Sequence, residues 1–118
     1  MAALSNEDSP VYIRLRATIA AGILRGDFVA GDQLPSVRAL AAEHGANPLT
    51  VAKAYQSFQD DGYVEVRRGV GMFVLPGAAD KLRTAERANF VENQWPRIRG
   101  YIDLLGLDAA DLLERERV

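Results

Sequence analysis

Between Gln33 and Val74 the chain gathers side chains of the kinds a nucleic-acid duplex calls for. Phosphates are gripped by Arg or Lys and by free backbone N–H groups at helix starts, while base edges are read by side chains presented from the N-terminal end of a groove-sized helix. Ser36 and Arg38 stand together in LPSVR, where an amide and a guanidinium can hold one backbone phosphate. Asn47, Leu49, Thr50 and Lys53 follow, and Arg67, Arg68 and Gly69 come after them in a Gly-rich segment. In that order they would supply a phosphate grip, a base-reading helix start, and a loop able to lie along the backbone or reach into a minor groove.

Those side chains are useful only if local structure presents them. Ser36 reads as the N-cap of a helix whose inward face is Val37, Leu40 and Ala41, and Gly45 reads as the left-handed residue that stops it. Asn47-Pro48 is a strong start signal, an Asx cap followed by proline at the first helical position. The short link should hold the two helices at a steep angle. In the helix it opens, Val51, Ala54, Tyr55 and Phe58 form the core stripe, leaving Leu49, Lys53 and Gln56 facing away and Thr50 at the flank. After Gly62, YVEVRRGVGMFVL reads as two short strands joined by Arg67-Arg68-Gly69-Val70-Gly71, with both arginines on the projecting loop.

The flanks complete the architecture. The opening MAALSNEDS is polar and reads as a frayed end. Ser9 and Pro10 cap and start a first helix, with Tyr12, Leu15, Ile19 and Ile23 as its buried stripe and Arg14 and Arg16 off it. The segment Gly26 to Asp32 ends that helix. Beyond Pro76 and Gly77 no strand signal returns. Ala88, Val91, Trp95, Ile98, Ile102 and Leu105 alternate four and three apart, the seam of one helix packing along another. Pro96 interrupts this stripe, which predicts a kink near Glu92 to Trp95 or two abutting helices. Asp108 and Asp111 resemble a capping box opening a last short helix with Leu112 and Leu113. The tail has little material of its own to cover Phe90, Val91, Trp95, Ile98, Ile102 and Leu105, so the same seam on a second copy is the natural partner.

Composition narrows the function classes. The chain has 118 residues, 48% hydrophobic and 25% charged, which suits one small soluble domain with an appendage. Formal net charge is −2, so any attraction to phosphate must come from a local basic face. With no cysteine, disulfides and thiolate zinc sites are excluded, and a cytoplasmic location is the default. No membrane span or secretory leader is expected. Enzyme readings have little to stand on. His44 is the single histidine, the carboxylates show no two-metal spacing, and Ser5, Ser9, Ser36 and Ser57 lie in no nucleophile elbow. Gly69-Val70-Gly71 lacks the strand-to-helix context and third glycine of a dinucleotide site. No catalytic residue, metal or cofactor is expected.

The motifs also carry a family resemblance. Pro10-Val11-Tyr12, Gly26 with Gly31, Leu34-Pro35-Ser36-Val37-Arg38, Leu40-Ala41, Gly45, Thr50-Val51, Gly62 and Gly69-Val70-Gly71-Met72-Phe73-Val74 together resemble the DNA-binding domain of GntR-family bacterial transcription regulators. Roughly the first 76 residues are covered. The run from Asn47 to Tyr55 and the short helical tail resemble the YtrA-like subfamily. That resemblance implies a dimeric winged-helix repressor, often controlling transporter genes, whose small C-terminal part dimerises and has no large effector pocket. The family's contacts fall on Arg38, on Asn47, Leu49 and Thr50, and on Arg68 and Gly69. Many relatives in other subfamilies place an arginine where this chain has Pro48 and a basic residue near Ala52, so their arginine-to-guanine contacts are missing here. Lys53 is the single cation of that helix, and base reading shifts toward Asn47, Thr50 and Leu49, the last suited to a thymine methyl.

The expected fold is therefore α+β and mostly helical, with a winged helix-turn-helix domain over 1–76 and a short all-helical dimerisation region over 77–118. The expected function is a sequence-specific DNA-binding transcriptional regulator, a homodimeric repressor on a palindromic operator of double-stranded DNA. An alternative is a winged-helix module that binds another protein. Bland roles stand beside the functional ones: Arg38 as a solvated or ion-paired residue, Arg67 and Arg68 as protection of a sheet edge, Asn47 as a cap alone, His44 as a surface or packing residue, and Trp95 as packing without a pocket. A small-molecule effector has no mark in the sequence.

Overall fold

A computed structural model describes residues 9–115; residues 1–8, which include Ser5 and most of the opening polar segment, and residues 116–118 lie outside the description. The first helix, α1 (Pro10–Arg25), starts where Ser9 Oγ accepts a 3.1 Å hydrogen bond from the Tyr12 N–H. Its stripe of Tyr12, Leu15, Ile19 and Ile23 is buried, as the spacing predicts. Helix α2 (Val37–His44) is capped by Ser36 Oγ, which accepts from the Ala39 N–H at 3.0 Å, and Leu40 and Ala41 are buried while Val37 packs at the edge of the core. It stops at Gly45, whose φ of 59° lies in the left-handed region where a side chain is costly. Helix α3 (Pro48–Asp60) begins at Asn47 and buries Val51, Ala54, Tyr55 and Phe58.

Strands β1 (Val64–Arg67) and β2 (Gly71–Val74) pair antiparallel, Val64 opposite Val74 and Arg67 opposite Gly71. The turn between them is thus Arg68-Gly69-Val70, shorter than the five-residue loop that composition suggests, because Arg67 and Gly71 belong to the ladder. The segment before α2 also joins this ladder: Leu34 N–H donates to Met72 O at 2.8 Å, Val74 N–H to Asp32 O at 2.9 Å, and Gln33 bridges to Phe73. That third edge has no alternating pattern in the sequence and comes entirely from β2 offering its free side.

The core unites α1, α2, α3 and the sheet around Phe58, Leu15, Ile23, Val51 and Val64, and extends to Ala78 and Leu82 of helix α4 (Ala78–Asn89). A first compact unit accordingly closes at Arg83, beyond the Pro76 boundary read from composition, and a second begins at Thr84. Leu82 is fully buried with the head's own residues, so the start of α4 belongs to that unit's packing.

In the second unit the chain passes through a π-helical turn, Phe90–Gln94, into α5 (Trp95–Leu104), then α6 (Ala109–Arg115). The interruption at Pro96 takes the form of this widened turn. Proline lacks an N–H and its ring collides with the carbonyl four residues back, and a register in which the Trp95 N–H donates to Phe90 O accommodates both effects. Asp108 caps α6, its carboxylate accepting from the Ala110 N–H at 2.9 Å, not from Asp111 as a capping box requires. From Thr84 onward none of the described residues is buried.

Candidate nucleic-acid interface

The candidate reading face divides into side chains that are committed to structure and side chains that are free. Ser36 Oγ and Asn47 Oδ1 are both committed as acceptors, the latter from the Leu49 N–H at 2.9 Å. Each keeps a donor, the serine hydroxyl proton and the asparagine Nδ2. Leu49 is 69% exposed at the start of α3, and Lys53 is exposed one turn further along the same face. Thr50 is half-buried at the flank, and Gln56 donates to the Asp60 carboxylate at 2.8 Å, which ties it along the helix.

The two wing arginines have separate fates. Arg67 lies on the sheet, with its guanidinium 4.0 Å from the centre of the Phe73 ring and its Nε 3.2 Å from Glu65 Oε1. Arg68 stands in the turn, exposed, beside Gly69 with φ 78°. Elsewhere Arg16 pairs with Asp61 and Arg25 with Asp27. Arg38, Lys53 and Arg68 make no salt bridge among the described residues, as is also true of exposed arginines elsewhere such as Arg14 and Arg99, so their placement is what sets them apart. All three sit on the elements from which a winged helix-turn-helix meets a duplex, and each is a solvated cation available to a phosphate.

One buried contact sets the angle between the helices that carry these groups. The Tyr55 hydroxyl, on the core side of α3, donates a 2.6 Å hydrogen bond to the carbonyl of Pro35, immediately before the α2 cap. Burial, reinforced by the Glu43 carboxylate, pushes its pKa from 10.0 up to about 12, so it stays a donor into alkaline solution. The sequence places Tyr55 in the core stripe but gives no sign of the partner, which lies twenty residues away. His44 closes α2 half-buried, with its Nε2 buried, in keeping with a packing role.

The family model for bacterial regulatory proteins, gntR family, matches residues 11–74, which contain every one of these groups. The chain belongs to the GntR family. A GntR-type fold is also what the coordinates resemble: a GntR family transcriptional regulator from Listeria monocytogenes superposes with a TM-score of 0.69 at 24% identity, covering 92% of this chain and 93% of that one. The HTH-type transcriptional repressor YtrA of Bacillus subtilis is 33% identical over 101 residues, 86% of this chain and 72% of that protein. The DNA-binding domain of AraR, solved in complex with operator ORX1, matches 63% of this chain and 89% of its own length with a TM-score of 0.54 at 24% identity. The sequence-based resemblance to YtrA-like GntR regulators is thus met by a relative of that name.

Two further features lie outside the reading face. Among the described residues no group of three or more His, Asp or Glu is placed to hold a metal ion, and no helix is long and apolar enough to cross a membrane. In the second unit, Phe90, Val91, Trp95, Ile102, Ala109, Leu112 and Leu113 line an apolar groove of about 480 Å³. The sequence reading expects packing at Trp95 and no pocket; the groove arises because α6 folds back beside the π turn and leaves the space between them unfilled. Of the expected seam, Phe90 is 44%, Val91 62%, Ile98 43% and Leu105 54% exposed, and Trp95 and Ile102 are half-buried.

Proposed function

We propose that the chain is a homodimeric transcriptional repressor, acting in the cytoplasm, that reads a palindromic operator with α3 in the major groove and the Arg68-Gly69 turn against the backbone or in the minor groove. The observation that carries this reading is the set of unpaired, exposed cations at Arg38, Lys53 and Arg68 around an exposed Leu49 at the start of α3. Arg38, Lys53 and Arg68, with the Ser36 and Asn47 donors, position the protein on phosphate. Leu49 and Thr50 touch base edges, and with Arg absent from the start of α3 the readout favours A·T pairs, whose thymine methyl suits Leu49. The operator complex of AraR and the repressor name of YtrA support the same assignment.

The second subunit enters through the tail. A helical segment with no buried residue of its own among those described, and with Phe90, Val91, Ile98 and Leu105 in water, gains its core by pairing with a copy of itself. Two copies then present two α3 helices to half-sites about one helical turn, roughly 34 Å, apart. The apolar exposure of Val66 and Val70 on the wing, 51% and 60%, favours as a second reading a module that docks on another protein. Mobility shifts on duplexes selected from a random library separate the two. Binding that falls steeply with salt supports the repressor, because released counterions scale with phosphate contacts. No selected duplex at low salt leaves the protein-docking module.

A further inference from the structure

We infer that Gln33 is the positioning residue of the wing, holding the Arg68-Gly69-Val70 turn in register with the two helices of the reading face; the inference rests on the DNA-binding reading above. Gln33 lies in the segment before α2, and its side chain crosses to the hairpin, where Nε2 donates a 2.8 Å hydrogen bond to Val70 O. Val70 is held at its other backbone group as well, its N–H donating to Arg67 O at 2.9 Å. The turn that carries Arg68 is therefore clamped at both polar groups of one residue.

The fit is built into Gly71. A Cβ at that position would collide with Gln33 Nε2, and the φ of 147° is one that residues with a side chain rarely adopt. The space a side chain would fill is occupied by the Gln33 amide. The same four-residue stretch holds the other parts of the face: Pro35 O takes the Tyr55 hydroxyl of α3, and Ser36 caps α2. Gln33 thus links the wing to the point from which α2 and α3 are aimed. An exposed turn of three residues has many conformations, and fixing it before binding removes the ordering cost from the complex.

The test uses the full chain and the duplex it selects from a random library, with Gln33→Met, Arg68→Ala and the double variant. Methionine keeps the length of the side chain above Gly71 and removes the donor. Gln33→Met is expected to weaken binding about three- to tenfold, the range of one net hydrogen bond. It should lower the salt slope as Arg68→Ala does, and leave base preference at the α3 positions intact. The double variant should bind within about twofold of Arg68→Ala alone, since a wing without its cation has nothing left to position. In the free protein, exchange of the Val70 and Gly71 amides should accelerate while the thermal midpoint stays near that of the unsubstituted chain. Independent, multiplicative losses from Gln33→Met and Arg68→Ala, or unchanged binding in Gln33→Met, overturn the positioning role while leaving the regulator reading intact. Failure of the unsubstituted chain to select any duplex overturns both.

Discussion

Tyr55 and Pro35 are joined by a 2.6 Å hydrogen bond that crosses from the buried side of the third helix to the last residue before the second helix is capped. The bond makes the helix-turn-helix angle a property of the core, because rotating either helix would strand a buried hydroxyl or carbonyl. Tyr55→Phe should destabilise the protein by about 1 kcal/mol in denaturant titration, the ordinary cost of leaving a carbonyl without its donor. The same phenol titrates near 10.0 when unfolded and at about 12 when folded. Its folded pKa is raised, so its contribution is complete below 10 and is lost as pH climbs toward 12. The fall in stability across that alkaline window should be shallower in Tyr55→Phe than in the unsubstituted chain; equal slopes would contradict the assignment.

The two adjacent arginines of the hairpin should separate by experiment. Arg67 rests on the Phe73 ring and beside Glu65, so Arg67→Ala should lower stability by about 0.5–1 kcal/mol with little change in duplex affinity. Arg68→Ala should leave stability within about 0.5 kcal/mol and reduce the salt slope by about one. Thermal melts and binding isotherms at several salt concentrations decide it, and a reversed pattern would place the phosphate contact on Arg67.

Asn47 serves first as a cap, and its contribution as a contact can be isolated. Asn47→Ala removes the acceptor for the Leu49 N–H and should cost about 1 kcal/mol. Asn47→Asp keeps that acceptor and adds a negative charge favoured at a helix start, so stability should hold. Its affinity for DNA should nonetheless fall, because a carboxylate replaces the Nδ2 donor against phosphate. Undiminished binding by Asn47→Asp would reduce Asn47 to a structural role.

Arg38 and Leu49 divide the labour of binding between phosphate and base. Arg38→Ala should weaken binding to all duplexes alike, whereas Leu49→Ala should change preference at one operator position by about 1–3 kcal/mol. Affinities across a randomised operator library measure this, and parallel losses in the two variants would refute the division.

Val91, 62% exposed in the tail, tests the dimer without disturbing a core. Sedimentation should find the unsubstituted chain dimeric at micromolar concentration and Val91→Asp monomeric, with the head still folded by circular dichroism. A monomeric unsubstituted chain would remove the palindromic operator from the account.

Much of the head could be read in one dimension. Ser9, Ser36 and Asn47 as caps, Pro10 and Pro48 at first helical positions, Gly45 as a stop, and the stripes ending in Ile23 and Phe58 all depend on relations within a few residues, where backbone geometry alone decides who meets whom. The exposure of Arg38, Leu49 and Lys53 follows from helical spacing, and that of Arg68 from its place in a Gly-containing turn. Contacts between distant segments have no such signature. Whether Arg67 points to solvent or lies on Phe73 depends on the strand register, and whether Gln33 meets Val70 or Tyr55 meets Pro35 depends on how a loop folds against elements far along the chain. Leu82 joins the head because the core has room for it there, and the π turn before Pro96 is one of several ways a helix can absorb a missing donor. Local pattern thus named the elements and their faces, while packing in three dimensions assigned each polar side chain its partner or left it free.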